Sequence, residues 1–278
     1  MADCIIVVPC YNEAARLDVE AFRRFVAEDH PQRFLFVDDG STDATLDVLR
    51  SLQASAPERF GVHALAHNRG KAEAVRQGIL RALADSPAMV GFWDADLATP
   101  LDAIPEFCDV LEQNPGLQVV LGSRVRLLGR TIERRPERHA AGRIFATAAS
   151  LVLGLPVYDT QCGAKLLRVG PEVRALFQRP FQTNWVFDVE LLARFLRRRA
   201  PGGEPVESVL YELPLKQWRD VAGSKVRPRD FFKAFFELAR IYWTYFRPGA
   251  AVGLRVLPSP ESVASSKEAD RPARRRAA

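Results

Sequence analysis

An α/β fold, with a largely parallel sheet covered by helices, is predicted by the first half of this 278-residue sequence. Two observations carry that prediction. Short β-rich runs at 4–8, 34–37, 62–66, 89–93 and 119–121 are separated by stretches of helical periodicity, the alternation expected of βαβ units. Between the runs, Leu46, Leu49 and Leu52, and then Ala72, Val75, Ile79 and Leu83, recur at helical spacing. Such one-sided stripes can cover a sheet face.

Composition narrows the class. Hydrophobic residues at 47% and charged residues at 26% exclude a disordered or fibrous chain. The cysteines, Cys4, Cys10, Cys108 and Cys162, include no C-x-x-C pair, so neither a zinc ribbon nor a disulfide framework fits, and a reducing compartment is expected. The first apolar run lacks a basic leader and reads as a core strand, not a signal peptide. No stretch approaches the ~20 apolar residues that span a bilayer. The expectation is a cytoplasmic protein whose membrane contact is peripheral, at the inner face. The net charge of +5 comes without an RNA-binding motif, zinc finger or helix-turn-helix, and so points to phosphates on small molecules or lipids, not to nucleic acid.

After Ser123 the pattern changes. A basic segment (Arg124, Arg126, Arg130, Arg134, Arg135, Arg138, Arg143) leads into an apolar helical run at 144–155, followed by a helix over 185–199, a strand-like 206–215 and an aromatic helix over 230–246. In that last helix Phe231, Phe235, Leu238, Tyr242 and Tyr245 form one stripe, accompanied by Lys233, Arg240 and Arg247. The stripe suits an interfacial helix or one packed on the domain, and the run 145–155 poses the same choice. One catalytic domain is expected over 1–248. Residues 249–278, with six basic against three acidic residues, read as a disordered basic tail.

Chemistry gathers where strands end, the place at which open α/β sheets bind ligands. The first strand stops at Pro9 and runs into Tyr11, Asn12 and Glu13; the second ends in Asp38 and Asp39 before Gly40. Carboxylates there can accept hydrogen bonds from a ribose or a base, or can cap helices. The fourth run emerges into Asp94-Ala95-Asp96. Two like charges so close repel unless a cation bridges them, and Mg²⁺ or Mn²⁺ with a diphosphate is the natural partner. The P-loop, dinucleotide and G-x-S-x-G signatures are missing.

Taken together, PCYNEA, VDDGSTD, NRGKAEAVRQGI and DADLATP resemble the family 2 glycosyltransferases. GSR at 122–124, DTQCGAKLL at 159–167, FDVELL at 187–192 and the W-R-x-x-x-G-S-K stretch at 218–225 are similar to the branch that glycosylates polyprenyl and dolichyl phosphates, the dolichyl-phosphate β-glucosyltransferases most of all. The resemblance covers residues 3–247. It implies a GT-A fold, a Rossmann-like three-layer α/β/α arrangement with a mostly parallel mixed sheet. It also implies inverting, metal-dependent transfer of a hexose, glucose from UDP-glucose, to a polyprenyl phosphate. By the same resemblance Pro9, Tyr11, Glu13, Asp38 and Asp39 serve the nucleoside, and Asp94, Ala95 and Asp96 meet the donor diphosphate, with Asp94 and Asp96 as metal ligands. Arg124, Arg143 and Arg219 match phosphate-binding positions, and Lys225 lies in the G-S-K loop. Ala98 stands where mannose-type relatives often carry Gln, which removes a third protein ligand.

Asp159 matches a carboxylate near the reaction centre and reads as a base, as an orienting group or as a turn residue. Asp188 and Glu190 read as sugar-hydroxyl contacts or helix N-terminal acids. Arg69 and Lys71, where a helix begins, read as a solvated basic turn or as residues that approach the nucleotide. Two rival functions remain at this stage: a glycosyltransferase with a non-lipid acceptor, which needs a general base, and a non-catalytic nucleotide-sugar-binding module.

Overall fold

The computed structural model describes residues 2–28, 30–133, 136–199, 205–221 and 228–247. The tail at 249–278 and Lys225 lie outside the described residues. In chain order the elements are β1 (Cys4–Cys10), α1 (Val19–Ala27), β2 (Arg33–Asp38), α2 (Thr45–Ser55), β3 (Phe60–Ala64), α3 (Lys71–Ala82), β4 (Met89–Trp93), α4 (Ala103–Gln113), β5 (Val119–Ser123), β6 (Thr131–Glu133) and α5 (Pro136–Leu153). Then follow β7 (Ala164–Arg168), α6 (Pro171–Phe177), α7 (Phe187–Arg198), β8 (Leu210–Pro214), β9 (Gln217–Arg219) and α8 (Pro228–Ile241), which continues in wider turns through Tyr242–Phe246.

Seven strands form one sheet in the order β3-β2-β1-β4-β7-β5-β8. All neighbours pair in parallel except β7, which runs antiparallel to both β4 and β5. Strand β1 shows why both faces are covered: its residues are apolar at almost every position, and successive side chains point to opposite faces. Ile5 and Val7 join the core beneath α3, α5, α6, α7 and α8. Cys4, Ile6 and Val8 join the other, with Phe22 and Phe25 of α1, Leu49 and Leu52 of α2 and Phe107 of α4. The result is the expected three-layer arrangement.

Strand β7 escaped the sequence reading. Its second residue, Lys165, is fully buried, and a lysine within a short run reads as polar surface, since lysine is almost never buried without a partner. The third strand begins two residues before its expected start, because Phe60 pairs with Phe34 of β2. The aromatic stripe takes the second of its two readings, packed on the domain, apart from Tyr242, which is 41% exposed; the side chain of Phe231 lies outside the described residues. Leu238 and Tyr245 of that stripe are buried with Ala234 and Ile241, and Phe235 packs edge-on against Phe145 of α5 at 6.0 Å. Phe232, Phe236 and Trp243 point outward instead, at 68%, 78% and 61% exposure. On α5, Phe145, Ala146, Ala149 and Leu153 are buried while Ile144 and Leu151 are exposed.

The parallel strands deliver their carboxyl ends to one rim, on both sides of the β1/β4 junction where the strand order reverses. There the loops after β1 and β2 are stitched together. The Asn12 N–H donates to Ser41 Oγ at 3.0 Å, the Thr42 N–H donates to Asn12 Oδ1 at 2.9 Å, and the Glu13 N–H donates to Thr45 Oγ1 at 2.8 Å. Gly40 turns this corner at φ +63°, where a Cβ would overlap the backbone of His67. Gly40→Ala should therefore lower the unfolding free energy by about 2 kcal/mol, from strain and displacement of the 67–70 segment; an unchanged urea midpoint would contradict this account.

Candidate active site

Two cavities meet at the rim. The smaller, about 300 Å³, is lined by Pro9, Tyr11, Glu13, Asp39, Ala95 and the start of α3. Within it, the Asp39 carboxylate accepts the backbone N–H groups of Arg69 and Gly70, each at 2.8 Å. Burial pushes the Asp39 carboxyl up in pKa, and those two N–H groups act against the rise. Asp38 is buried behind it and accepts the Ser41 N–H at 3.4 Å, without lining the cavity.

Lys71, Asp94 and Asp96 line both cavities and so mark their junction. The Asp94 N–H donates to the Gly163 carbonyl at 3.0 Å, and the Asp94 carboxylate rests against Gly163, where a Cβ would overlap it. Asp96 is turned by the Ala98 N–H, donated to Oδ1 at 3.1 Å. Burial, and then the negative charge of Asp94, raise the pKa of the Asp96 carboxyl. Lys71 keeps 41% of its side chain exposed, yet it is not merely solvated: its Nζ lies 2.5 Å from Asp94 Oδ1. Burial pulls the Lys71 pKa down, but the carboxylates of Asp94, Asp188 and Asp96 raise it further, so the ammonium stays charged. Two hard carboxylate oxygens with mutually repelling charge suit a divalent cation of the Mg²⁺ or Mn²⁺ type. Among the described residues no third His, Cys, Asp or Glu joins them, in keeping with Ala98, so phosphate oxygens and water would complete such a shell.

The larger cavity, about 440 Å³, continues from these carboxylates to a pair of arginines. Arg124, at the end of β5, makes a two-pronged ion pair with Asp159, Nε to Oδ2 at 2.6 Å and Nη2 to Oδ1 at 2.8 Å. Burial acts against the guanidinium charge, and Asp159 more than restores it. Arg143 of α5 stacks over the Tyr158 ring at 3.8 Å and donates to the Tyr158 carbonyl at 2.9 Å. The Tyr158–Asp159 backbone is fixed in turn by Glu212 of β8, which accepts both N–H groups at 2.7 and 2.8 Å. Asp159 also accepts the backbone N–H groups of Arg124 and Gln161. Its oxygens are thus committed to bracing.

Residues 5–172 match the Glycosyl transferase family 2 domain. The chain belongs to that family. As a glycosyltransferase it is 30% identical over 241 residues to the dolichyl-phosphate β-glucosyltransferase of Saccharomyces cerevisiae, covering 80% of this chain and 68% of the yeast protein. Identity to the Mus musculus enzyme of the same name is 32% over 245 residues, covering 80% and 69%. Among solved structures, glucosyl-3-phosphoglycerate synthase of Mycobacterium tuberculosis, in complex with Mn²⁺, UDP-glucose and phosphoglyceric acid, superposes with a TM-score of 0.58 at 20% identity, over 87% of this chain and 80% of that one. The glycosyltransferase fold is therefore the GT-A arrangement.

Other residues of this glycosyltransferase fall differently from their sequence reading. Arg219 on β9 is 80% exposed, 3.7 Å from Glu133, and only its backbone reaches the site, donating to the Ala98 carbonyl at 3.0 Å. Its neighbours Trp218 and Asp220 line the large cavity instead. Glu190 is fully buried and turned away from the cavity, accepting the N–H groups of Gln182 and Thr183 and pairing with Arg194. Asp188, on the first turn of α7, does line it. Glu212 carried no sequence signal, since its partners are more than fifty residues away.

Two stability predictions separate bracing from function. Asp159→Asn should cost about 3 kcal/mol in chemical denaturation, because it strips a buried guanidinium of its counter-charge. Asp96→Asn, in buffer containing EDTA, should raise the thermal midpoint at pH 7. The raised pKa of Asp96 means that its ionised form destabilises the native state, so the advantage of Asn should fade as pH falls through that pKa and the native carboxyl takes up its own proton.

Proposed function

We propose that this glycosyltransferase transfers glucose from UDP-glucose to a polyprenyl phosphate with inversion at the anomeric carbon, working peripherally at the cytoplasmic face of a membrane. The observation that carries the reading is a single cavity with carboxylates at one end and two braced guanidinium groups at the other. The yeast and mouse relatives, whose names state a dolichyl-phosphate acceptor, support it.

The uridine occupies the cavity of Pro9, Tyr11, Glu13 and Asp39. Asp94 and Asp96 would hold Mg²⁺ or Mn²⁺, which when bound would supply Lewis-acid relief of charge on the departing diphosphate. Lys71 adds a second positive charge at the same junction. A phosphate monoester is anionic at neutral pH, so its attacking oxygen needs aiming more than deprotonation. Arg124 and Arg143 supply the aim with planar forks that Asp159 and Tyr158 hold still. With Asp159 occupied in that bracing, no base is called for, which favours a phosphate over a hydroxyl acceptor. One direct displacement then inverts the sugar centre.

In this reading residues 1–248 are the catalytic domain and 249–278 a basic tail. Phe232, Phe236 and Trp243 of α8, beside Lys233, Arg240 and Arg247, give an apolar and basic face suited to anionic lipid. Among the described residues no helix is long and apolar enough to cross a membrane.

Purified protein with Mg²⁺, UDP-glucose and a polyprenyl phosphate should release UDP and form glycolipid, and Asp96→Ala should lower turnover at least a hundredfold, the scale of losing an electrostatic contact to the transition state. Arg143→Ala should raise the KM for the lipid phosphate with little change in that for UDP-glucose. Turnover with a soluble acceptor and none with polyprenyl phosphate would replace the acceptor, and donor affinity alone responding to Arg143→Ala would remove that residue from the acceptor site.

A further inference from the structure

Lys165 is unused by the mechanism above, yet it is a fully buried charged side chain. It is the second residue of β7 and has no exposed surface. Its Nζ lies 2.6 Å from Asp188 Oδ1, donates to the Cys162 carbonyl at 2.7 Å and sits 5.3 Å from the centre of the Phe92 ring. A buried ion pair is weak support for stability, since an apolar pair of similar volume often does as well or better. Strand β7 carries Leu166 and Leu167 beside it, so packing alone does not require an ammonium here.

What the ammonium does is fix two things at the cavity wall. Asp188 faces the large cavity from α7. The Cys162 carbonyl belongs to the peptide that leads into Gly163, the glycine on which the Asp94 carboxylate rests. The two cavities share only Lys71, Asp94 and Asp96. A nucleotide sugar lying through both must cross with its diphosphate at that junction, and its glycosyl group then emerges on the side of Asp188. A carboxylate offers lone pairs for adjacent hydroxyl donors, and one held in place by an ion pair at 2.6 Å presents them in a fixed direction.

We propose that Lys165 is a positioning residue for the sugar of the donor, acting through Asp188. The proposal rests on the nucleotide-sugar reading above but not on the identity of the acceptor.

The test is a calorimetric titration of the full chain with UDP and with UDP-glucose, each with Mg²⁺. In Lys165→Met and in Asp188→Asn the ratio of the UDP-glucose to the UDP dissociation constant should rise about tenfold over wild type, the scale of one hydrogen bond to a charged group, while UDP binding stays within about threefold. Lys165→Met leaves a buried carboxylate unpaired, so a charge-free double variant, Lys165→Met with Asp188→Leu, guards against misfolding; it should show the same ratio as Asp188→Asn, the non-additivity of a coupled pair. An unchanged ratio in the lysine variants overturns the inference, as does an equal loss of UDP and UDP-glucose affinity, which a merely structural lysine would produce. Wild-type protein that binds neither nucleotide overturns the donor reading and this inference with it.

Discussion

Asp39, Asp94, Asp96, Asp159 and Asp188 are all brought to one rim of one sheet, and the site depends on how their negative charge is met. Each answer differs. Asp39 is met by backbone N–H groups at the start of α3, Asp94 by Lys71, Asp159 by Arg124 and Asp188 by Lys165. Asp96 has one backbone N–H and the charges of Lys71 and Arg16, set against burial and the repulsion of Asp94. The Asp94–Asp96 junction, two carboxylates beside one ammonium, keeps a negative balance that suits a dication.

The antiparallel strand β7 is the device that makes this balance possible. Inserted between β4 and β5, it passes a turn-rich segment, 159–163, between the carboxylates and the arginines. That segment carries Asp159 for Arg124 and Gly163 for Asp94. Lys165 in turn ties the segment to α7, and Glu212 ties its start to the edge strand β8. Rigidity here has a physical consequence: a guanidinium held by a two-pronged carboxylate loses little further freedom when it binds an anion.

Much of the fold could be read in the sequence because its signals are local. Strand β4 matched its expected limits, since a fully apolar run of five residues between turn signals has one plausible conformation. The carboxylates at strand ends were visible for the same reason, as they follow apolar runs directly. Strand β7 was hidden by its buried lysine. The stripe of α8 left two readings open because that helix is apolar on more than one side, and spacing alone does not say which side meets α5 and α7.

The sequence by itself determined the family, the layered architecture and the carboxylates at the strand ends, because each is encoded within a few neighbouring positions. Only the tertiary structure decided which charges are paired. It set Lys71 against Asp94, spent Asp159 on Arg124, turned Glu190 into the core and directed the Arg219 side chain to solvent. Pairing depends on distances between segments that lie far apart along the chain, and no periodicity or motif records those distances.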